Sequence, residues 1–528
     1  MNIAQPNLTP GAAIAAISRD YNFAADILGR NLDAGRSNKV AYIDPRGSWT
    51  YGELADRVER FGHVLRSLGV RREERILIAL LDGIDWPTAF LGAIKAGVVP
   101  VPLNTLSTED DYRFVIEDSR ARLLLVSEEL YPKFAKLVGA AGLAHVVVAG
   151  ANAHGHPRLE TLIADAEGEA VTAPTVRDEA CFWLYTSGST GKPKAAVHSH
   201  ADPKLTDELY AKTLLGISEN DICYSVAKLF FAYGLGNALT FPMSAGATTV
   251  LSPDRPTPEL VTDILLEHGV SVFFAVPTFY AGFLASPHAP EAAALKLRRC
   301  VSAGEALPAD VGRRWRARYG VDILDGLGST EMLHIFLSNR PGGVKYGTTG
   351  KPVPGYAVRL VDDDGRIIGT RGQMGELQVR GPTSAMMYWN NREQSRATFL
   401  GEWTRSGDKY IEDEDGNFVY CGRHDDMLKV SGMYVSPFEV EAALQSHPDV
   451  LEAAVVGWPD VDNLIKPKAF VVLKSPERAD GRLARALQDH CRAALAPFKY
   501  PRWIEFRREL PKTATGKIQR FKLRAEAR

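Results

Sequence analysis

Residues 180–194 read ACFWLYTSGSTGKPK, an apolar run that leads into a loop of hydroxyl, glycine and lysine side chains. The run 180–184 predicts a buried strand, and ligands of α/β sheets collect where such strands end. Glycines let backbone N–H groups approach and point at an anion, hydroxyls add donors, and lysines add positive charge. The segment therefore predicts a phosphate-binding loop, whose candidate residues are Thr186, Ser187, Gly188, Ser189, Thr190, Gly191, Lys192 and Lys194.

This loop is not the P-loop of kinases and GTPases. A P-loop has four residues between its glycines and a Ser or Thr after its Lys. Here two residues separate Gly188 from Gly191, and Pro193 follows Lys192. The rival interpretation is a solvated Ser/Gly linker, but linkers rarely carry Lys-Pro-Lys directly after a buried strand.

Length and composition limit the classes of protein to which this chain can belong. A chain of 528 residues is too long for one core and predicts at least two domains. The 62 basic and 64 acidic residues nearly balance, so no global field favours nucleic acid or an anionic membrane. Five scattered cysteines form no C-x-x-C pair, which argues against a zinc site or disulfide framework and fits a reducing cytoplasm. The N-terminus lacks a basic n-region, so we expect an unprocessed cytoplasmic protein.

The order of elements predicts an α/β fold. Residues 50–300 alternate amphipathic helices with short apolar strands, which indicates parallel sheets joined by crossover helices. Residues 340–400 are rich in Gly and short strands, which is typical of a small β subdomain. After a polar turn at residues 420–427 comes a compact unit with helices near 437–446 and 481–495 and strands near 451–457, 468–474 and 502–506. We expect a large domain over 1–423 and a small mobile α+β domain over 424–528.

Five motifs share one order along the chain: the phosphate loop, then LGSTE at 327–331, WTRSGD at 403–408, GRHDD at 422–426 and PKTATGK at 511–517. This set resembles the adenylate-forming (AMP-binding) superfamily of acyl-CoA synthetases over essentially the whole chain. The runs LFFAYGLG at 229–236 and STEMLHI at 329–335 are similar to the benzoate-CoA ligase branch.

The resemblance implies a reaction in two halves. An aromatic carboxylate attacks the α-phosphorus of ATP, giving acyl-AMP and pyrophosphate, and the thiol of coenzyme A then displaces AMP. Such chemistry needs groups that neutralise charge around a transferring phosphorus and needs no protein nucleophile. The implied co-substrates are ATP and coenzyme A, the implied cation is Mg²⁺, and no nucleic acid or membrane is expected as a partner.

The resemblance also assigns roles to the nucleotide site. Glu331 should reach Mg²⁺, and Thr330 should bond a phosphate oxygen. Asp408 should accept hydrogen bonds from the ribose hydroxyls, with Arg423 near the ribose. Adenine should lie between Gly304, Glu305 and Ala306 on one side and Asp325, Gly326 and Leu327 on the other. Leu327 stands where many relatives carry an aromatic residue, so apolar packing replaces ring stacking there.

The C-terminal region carries the residues implied for the change between half-reactions. Lys517 resembles the lysine that bridges the substrate carboxylate and the α-phosphate during adenylation. Asp425 resembles the hinge residue whose torsions change when the small domain swings. Gly432 should line the tunnel for the pantetheine arm of coenzyme A.

The acyl pocket is predicted as a flat apolar slot for one ring. Aromatic residues at this density are often ordinary core, and His334 is equally a candidate for a packed polar residue. The predicted lining residues are Phe230, Phe231, Tyr233, Ala303, Gly328, His334 and Ile335.

The preferred hypothesis is an ATP-dependent ligase that joins benzoate to coenzyme A, and four alternative hypotheses remain open. They are a ligase of 4-hydroxybenzoate or another substituted benzoate, an amino-acid adenylation domain, a nucleotide-binding pseudoenzyme and a simple NTPase. An adenylation domain would need an acidic residue where Phe231 and Ala232 stand. An NTPase would release ADP, whereas the preferred hypothesis requires AMP as the nucleotide product. A homodimer and a lysine acetyltransferase acting on Lys517 are further partner expectations.

Overall fold

The computed structural model describes residues 10–139, 142–168, 172–187, 192–423, 427–430, 433–461, 464–496, 499–512 and 518–526. None of the helices in these ranges is long and apolar enough to cross a membrane.

The first part of the chain forms a four-stranded sheet in which every pairing is parallel. Its strand order is β4-β3-β5-β6, and β5 is buried along its whole length, as a sheet covered on both faces requires. Thr50 and Glu53 close a capping box that starts α3. The elements are α1 Pro10–Ala15, α2 Phe23–Asp33, β1 Val40–Asp44, β2 Gly47–Thr50, α3 Tyr51–Ser67, β3 Arg75–Ala79, α4 Asp85–Lys95, β4 Val99–Pro102, α5 Glu109–Ser119, β5 Leu123–Ser127, a 3₁₀ helix Glu128–Lys133, β6 His145–Ala149 and α6 Leu159–Asp165.

The central part of the chain builds a nine-stranded sheet of order β15-β14-β13-β12-β11-β9-β10-β1-β2. The six strands from β13 to β1 run parallel, and antiparallel strands complete both edges. The elements of this central part of the chain are β7 Ala180–Ser187, β8 Pro193–Ser199, α7 Ala201–Thr206, a π helix Asp207–Leu215, β9 Ile222–Ser225, α8 Ala232–Leu235, a π helix Gly236–Thr240, α9 Phe241–Ala245, β10 Thr248–Val250, α10 Pro258–Glu267, β11 Val272–Ala275, α11 Pro277–Ala285, a 3₁₀ helix Ala292–Ala294, β12 Arg299–Ala303, α12 Ala309–Tyr319, β13 Ile323–Gly328, a 3₁₀ helix Thr330–Met332, β14 Ile335–Ser338 and β15 Lys351–Pro352.

Two further sheets before the C-terminal unit are antiparallel. One has the order β16-β17-β20-β19 with β21 paired to β20. Its strands β16, β17 and β19 lie in the segment 340–400 that was predicted as a β subdomain, whereas β20 and β21 lie beyond it. The other joins β7 and β8 to β18, so it draws on two distant parts of the chain. The new elements are β16 Ala357–Val361, β17 Met374–Arg380, β18 Met387–Tyr388, α13 Arg392–Thr398, β19 Phe399–Leu400, β20 Trp403–Glu412 and β21 Phe418–Arg423.

The C-terminal unit has apolar clusters of its own. Leu428, Val440, Val455 and Leu487 belong to one, and Phe470 and Leu523 to another. The elements are β22 Leu428–Val430, β23 Met433–Val435, α14 Pro437–Gln445, β24 Val450–Pro459, β25 Ile465–Leu473, a 3₁₀ helix Pro476–Arg478, α15 Gly481–Ala494, β26 Trp503–Arg507 and α16 Arg520–Ala525. The predicted fold class, with parallel sheets and a separate α+β C-terminal domain, is confirmed. The boundary between residues 423 and 424 stays a prediction.

Candidate active site

The predicted phosphate loop connects the two strands of a hairpin. β7 ends at Ser187, β8 begins at Pro193, and Thr186 pairs with Lys194 across the hairpin. The sequence predicted the first strand but not the second, because Ala195, Ala196 and Val197 are buried without the alternation that marks a half-buried strand. The loop therefore follows a strand as expected, but that strand belongs to a small antiparallel sheet.

The two lysines of the loop lie over aromatic rings. The Nζ atom of Lys194 is 4.6 Å from the ring centre of Tyr388 and 3.4 Å from Oε1 of Gln394. The Nζ atom of Lys192 is 5.6 Å from the ring centre of Phe114. Neither ammonium forms an ion pair within the described ranges. Cation–π contacts hold a positive charge without neutralising it, so both lysines stay available to an anion.

Thr330 and Glu331 lie in a short 3₁₀ turn directly after β13. The hydroxyl of Tyr388 donates to Oε1 of Glu331 at 2.6 Å, and the backbone N–H of Ala385 donates to the Glu331 carbonyl at 2.7 Å. Segment 385–388 thus holds Glu331 by both its backbone and its side chain.

A buried histidine holds the same turn from the hairpin side. The Nε2 atom of His198 lies 2.7 Å from the Thr330 carbonyl, and its Nδ1 atom lies 2.8 Å from Oδ2 of Asp202. A carbonyl oxygen can only accept, so Nε2 carries a proton. Asp202 also accepts from the backbone N–H and the hydroxyl of Ser199. The phosphate hairpin and the Thr330–Glu331 turn therefore form one hydrogen-bonded assembly.

The donor set suits Mg²⁺ only in combination with a phosphate ligand. Glu331 offers one partly exposed carboxylate beside the hairpin, and the described residues contain no group of three or more His, Cys, Asp or Glu able to hold a metal. Mg²⁺ commonly takes one or two carboxylates and completes its shell with phosphate oxygens and waters. The residues present fit that pattern.

The predicted ribose residues face each other across a strand pair. Asp408 on β20 is the register partner of Arg423 on β21, and their Oδ1 and Nη1 atoms are 3.5 Å apart. Gly407 has φ of +74°, a left-handed conformation that glycine adopts without strain, and it turns the chain into Asp408. Asp408 is buried while the Arg423 side chain is about half exposed.

The two predicted adenine segments lie at adjacent strand ends. Ala303 on β12 pairs with Gly326 on β13, so Gly304, Glu305 and Ala306 emerge beside Leu327. Asp325 is buried, and its Oδ1 atom has no hydrogen-bond partner in the part of the chain that the structure describes. Burial raises the pKa of Asp325 well above its ordinary value, against the opposing effect of the Leu307 and Gly326 N–H groups.

Tyr233, Ala303, His334 and Ile335 come together in the region predicted for the acyl group. Ala303 and Ile335 share an apolar cluster against which Tyr233 packs. The His334 ring lies 5.5 Å from the Tyr233 ring and 4.4 Å from the Phe241 ring, and its Nε2 atom is 3.2 Å from Oδ1 of Asn237. Burial lowers the pKa of His334 from 6.5 to about 3, so its imidazole is neutral at pH 7.

Two other acyl-pocket predictions have different surroundings. Phe230 and Phe231 contact each other, with ring centres 4.3 Å apart, and no ring contact joins them to His334 within the described residues. A Cβ atom at Gly328 would lie 2.6 Å from the His334 carbonyl oxygen and 2.8 Å from the Ile335 nitrogen. Glycine is required at 328 by the close approach of β13 and β14, so added bulk there would distort backbone before it filled a pocket.

Several predicted residues lie outside the described ranges: Gly188, Ser189, Thr190, Gly191, Asp425, Gly432 and Lys517. Their roles stay predictions. The described ranges resume at Ile518, which forms an antiparallel bridge with Lys512.

Three residues that hold the site were not predicted from the sequence: His198, Asp202 and Tyr388. His198 could have been found once β8 was recognised, because Lys194, Ala196 and His198 share one face of a strand of period two. Tyr388 carries no comparable signal, since its contact with Glu331 joins positions 57 residues apart.

Comparison with known proteins identifies the family of the chain. The model of the family described as AMP-binding enzyme matches residues 30–389, and that of the AMP-binding enzyme C-terminal domain matches residues 439–517. The chain belongs to the AMP-binding enzyme family. The superfamily assignment made from the five motifs is thereby confirmed.

Individual members of this family match the chain over almost its whole length. It is 59% identical to the benzoate–CoA ligase of Thauera aromatica, covering 99% of each chain. It is 50% identical to the 4-hydroxybenzoate–CoA/benzoate–CoA ligase of Rhodopseudomonas palustris, covering 96% of this chain and 94% of the other. A crystal structure of a benzoate CoA ligase from Burkholderia xenovorans LB400 is similar with a TM-score of 0.90 and 53% identity, over 96% of this chain and all of that one.

Proposed function

We propose that this AMP-binding enzyme is an aromatic carboxylate:CoA ligase that converts benzoate, ATP and coenzyme A into benzoyl-CoA, AMP and pyrophosphate through benzoyl-AMP. The observation that carries the proposal is the 59% identity over 99% of both chains with the benzoate–CoA ligase of Thauera aromatica. The apolar group of Tyr233, Ala303 and Ile335 around neutral His334 agrees with an aromatic substrate.

The first half-reaction is the attack of a benzoate oxygen on the α-phosphorus, with pyrophosphate leaving. Lys192 and Lys194, each held over a ring, bind the β- and γ-phosphates together with the hairpin loop. Asp408 accepts from the ribose hydroxyls, and the strand ends at 304–306 and 325–327 hold adenine. The gain in rate comes from fixed charges and donors placed around the phosphorus.

Glu331 would hold the Mg²⁺ ion of this site together with phosphate oxygens and waters. When bound, it neutralises charge that develops on the phosphate oxygens. Thr330 donates its hydroxyl to a phosphate oxygen from the same turn, and His198 fixes that turn through the Thr330 carbonyl.

The second half-reaction is the attack of the coenzyme A thiol on the acyl carbon, with AMP leaving. We assign residues 1–423 to the domain that binds AMP and the acyl group and residues 424–528 to a lid. Lys517 serves adenylation, Asp425 is the hinge, and Gly432 lines the pantetheine tunnel. A homodimer and acetylation of Lys517 by a lysine acetyltransferase remain proposals about partners; acetylation would remove the charge that adenylation uses.

A second candidate substrate is 4-hydroxybenzoate. The Nδ1 atom of His334 is buried and has no hydrogen-bond partner within the described ranges, which makes it the candidate acceptor for a ring hydroxyl. The relative from Rhodopseudomonas palustris carries both substrates in its name.

Nucleotide products and acid preference test the proposal together. AMP formation is measured with benzoate, 4-hydroxybenzoate, 2-aminobenzoate, cyclohexanecarboxylate and octanoate, each with coenzyme A and without it. We expect AMP and pyrophosphate, with the highest kcat/KM for benzoate. ADP as the product would refute the ligase, and a preference for octanoate would refute the aromatic pocket. A kcat/KM for 4-hydroxybenzoate above that for benzoate would select the second candidate.

A further inference from the structure

Tyr388 occupies the position between the two charged groups of the nucleotide site. Its hydroxyl donates to Oε1 of Glu331 at 2.6 Å, and its ring centre lies 4.6 Å from Nζ of Lys194. One side chain therefore contacts both the carboxylate assigned to Mg²⁺ and a lysine assigned to the phosphates.

The Tyr388 side chain is itself held in place. It is 3% exposed, and its ring lies 5.3 Å from the ring of Phe399. Its backbone pairs with Ala196 of β8, and its N–H donates to the hydroxyl of Ser395 at 2.9 Å. A side chain locked by packing and backbone pairing can fix the direction of a group that it contacts.

The ring also separates opposite charges. Lys194 makes its contacts with the Tyr388 ring and with Gln394, and in the described ranges it pairs with no carboxylate. A direct ion pair between Lys194 and Glu331 would satisfy both groups without a ligand and would oppose the binding of phosphate and metal. A ring face attracts the ammonium while leaving its charge intact.

We infer that Tyr388 is a positioning residue that aims the Glu331 carboxylate at the cation and keeps Lys194 from pairing with it. The inference rests on the proposed function, because it needs a cation at Glu331. Outer hydrogen-bond partners of metal ligands commonly change metal affinity by about 10–100-fold when they are removed. Tyr388 acts on the metal through Glu331 and on phosphate through Lys194.

Equilibrium binding separates this role from a general structural one. Mn²⁺ is titrated into the full-length protein with α,β-methylene-ATP, which cannot undergo adenylation, and free Mn²⁺ is read by electron paramagnetic resonance. We expect Tyr388→Phe to raise the Mn²⁺ dissociation constant about 10-fold. The affinity for the nucleotide in EDTA should stay unchanged in the same variant, since the ring remains.

Tyr51→Phe is the matched control. Tyr51 is also fully buried, and its hydroxyl donates to the Ala247 carbonyl at 2.7 Å, a contact that involves no site residue. We expect wild-type Mn²⁺ affinity for Tyr51→Phe. A loss equal to that of Tyr388→Phe, or wild-type Mn²⁺ affinity in Tyr388→Phe, would overturn the inference.

Two more variants complete the test. Glu331→Gln should weaken Mn²⁺ binding more than Tyr388→Phe does; if it binds Mn²⁺ like wild type, the metal assignment in the proposed function fails and the inference fails with it. Tyr388→Leu removes the ring, so it should also weaken nucleotide binding in EDTA. Nucleotide affinity equal to that of Tyr388→Phe would refute the separation of Lys194 from Glu331.

Discussion

His334 shows how burial sets the chemistry of one residue. Its ring is enclosed by Tyr210, Tyr233 and Phe241, and among the described residues only its Nε2 atom has hydrogen-bond partners. A neutral imidazole adds no charge beside an apolar ring, so under the proposed function it would not compete with Lys517 for the substrate carboxylate. The sequence predicts His334 as a lining residue of the acyl pocket, but its neutral state follows from contacts that no local pattern reveals.

The pKa of His334 predicts a pH dependence of stability. The unfolded chain takes up a proton near pH 6.5, whereas the folded protein keeps this imidazole neutral down to about 3. Its contribution is complete above pH 6.5 and is lost as the pH falls below that value, with a slope of at most about 1.4 kcal/mol per pH unit. Urea unfolding of wild type and His334→Asn at pH 7, 6 and 5 checks this.

The quantity to compare is the difference in unfolding free energy between wild type and His334→Asn at each pH. His200, whose pKa is lowered by burial to about 4, titrates in the same window in both proteins. We expect a flatter dependence for His334→Asn, and parallel curves would contradict the assignment.

Ala303 offers a cleaner test of the acyl slot than Gly328. Ala303 is buried, and it packs in the cluster that contains Ile335. Ala303→Val should lower kcat/KM for benzoate by about 10-fold or more and leave nucleotide affinity unchanged, because overpacking of about 1–3 kcal/mol acts on the volume that the ring needs.

Ala275→Val is the matched control for this substitution. Ala275 lies on the adjacent strand β11 and is also fully buried, but it belongs to a different apolar cluster. It should share any loss of stability without the loss of benzoate turnover. Equal effects of the two substitutions on benzoate would place the ring elsewhere.

At the scale of elements, local signals predicted most of the architecture. Strands near 451–457 and 468–474 and a helix near 437–446 correspond to β24, β25 and α14, because each has a continuous apolar pattern between turns. β8 and the two-residue β18 were not predicted, because β8 is specified by its pairing with β7 and β18 by its pairing with β8. The same cause explains the missed residues His198 and Tyr388, which lie on those strands.

The β7–β8 hairpin should lose its hold on the Glu331 turn when His198 is removed. His198→Phe removes one hydrogen bond to the Thr330 carbonyl, which keeps the Leu333 N–H, and one to Asp202, which keeps the N–H and the hydroxyl of Ser199. Each lost hydrogen bond costs about 0.5–1.5 kcal/mol, so the melting temperature should fall and Mg²⁺-dependent ATP binding should weaken. Calorimetry and a binding titration measure both.

Asp207→Leu provides a contrast for His198→Phe. Asp207 is a fully buried carboxyl at the start of a π helix, and the groups that act on it, Thr240, Arg30 and Lys212, are not residues of the candidate site. Its replacement should not weaken ATP binding. A His198→Phe variant with wild-type ATP affinity would show that the turn holds Glu331 without the hairpin.

At the scale of the whole molecule, the proposed function requires one site to serve two reactions with different needs. The phosphate hairpin, the Glu331 turn and the predicted acyl pocket lie in the proposed large domain, whereas the proposed adenylation residue Lys517 lies in the C-terminal part of the sequence. The C-terminal unit has its own apolar clusters, which the proposed movement of that unit as a body requires. Sequence motifs identified both halves, but no sequence signal fixes how one domain is oriented on the other.

Lys517→Ala should separate the two half-reactions. Loss of one preorganised charge at phosphorus costs about 3–4 kcal/mol, which is a fall of about 10²–10³-fold in benzoyl-AMP formation. The thioester step should survive when synthetic benzoyl-AMP and coenzyme A are supplied, because the lysine acts at phosphorus and not at sulfur. Equal loss in both assays would refute the role of Lys517.

Asp425→Pro should produce the opposite separation. Proline fixes φ near −65°, so a hinge that must change this torsion is held in one domain orientation. We expect benzoyl-AMP formation to continue and thioester formation from benzoyl-AMP to fail, since the first half-reaction needs no swing. Asp425→Ala keeps the torsional freedom of the backbone and is the control; it should retain both half-reactions. If Asp425→Pro turned over benzoate and coenzyme A at the wild-type rate, the rotation would have to occur at another residue.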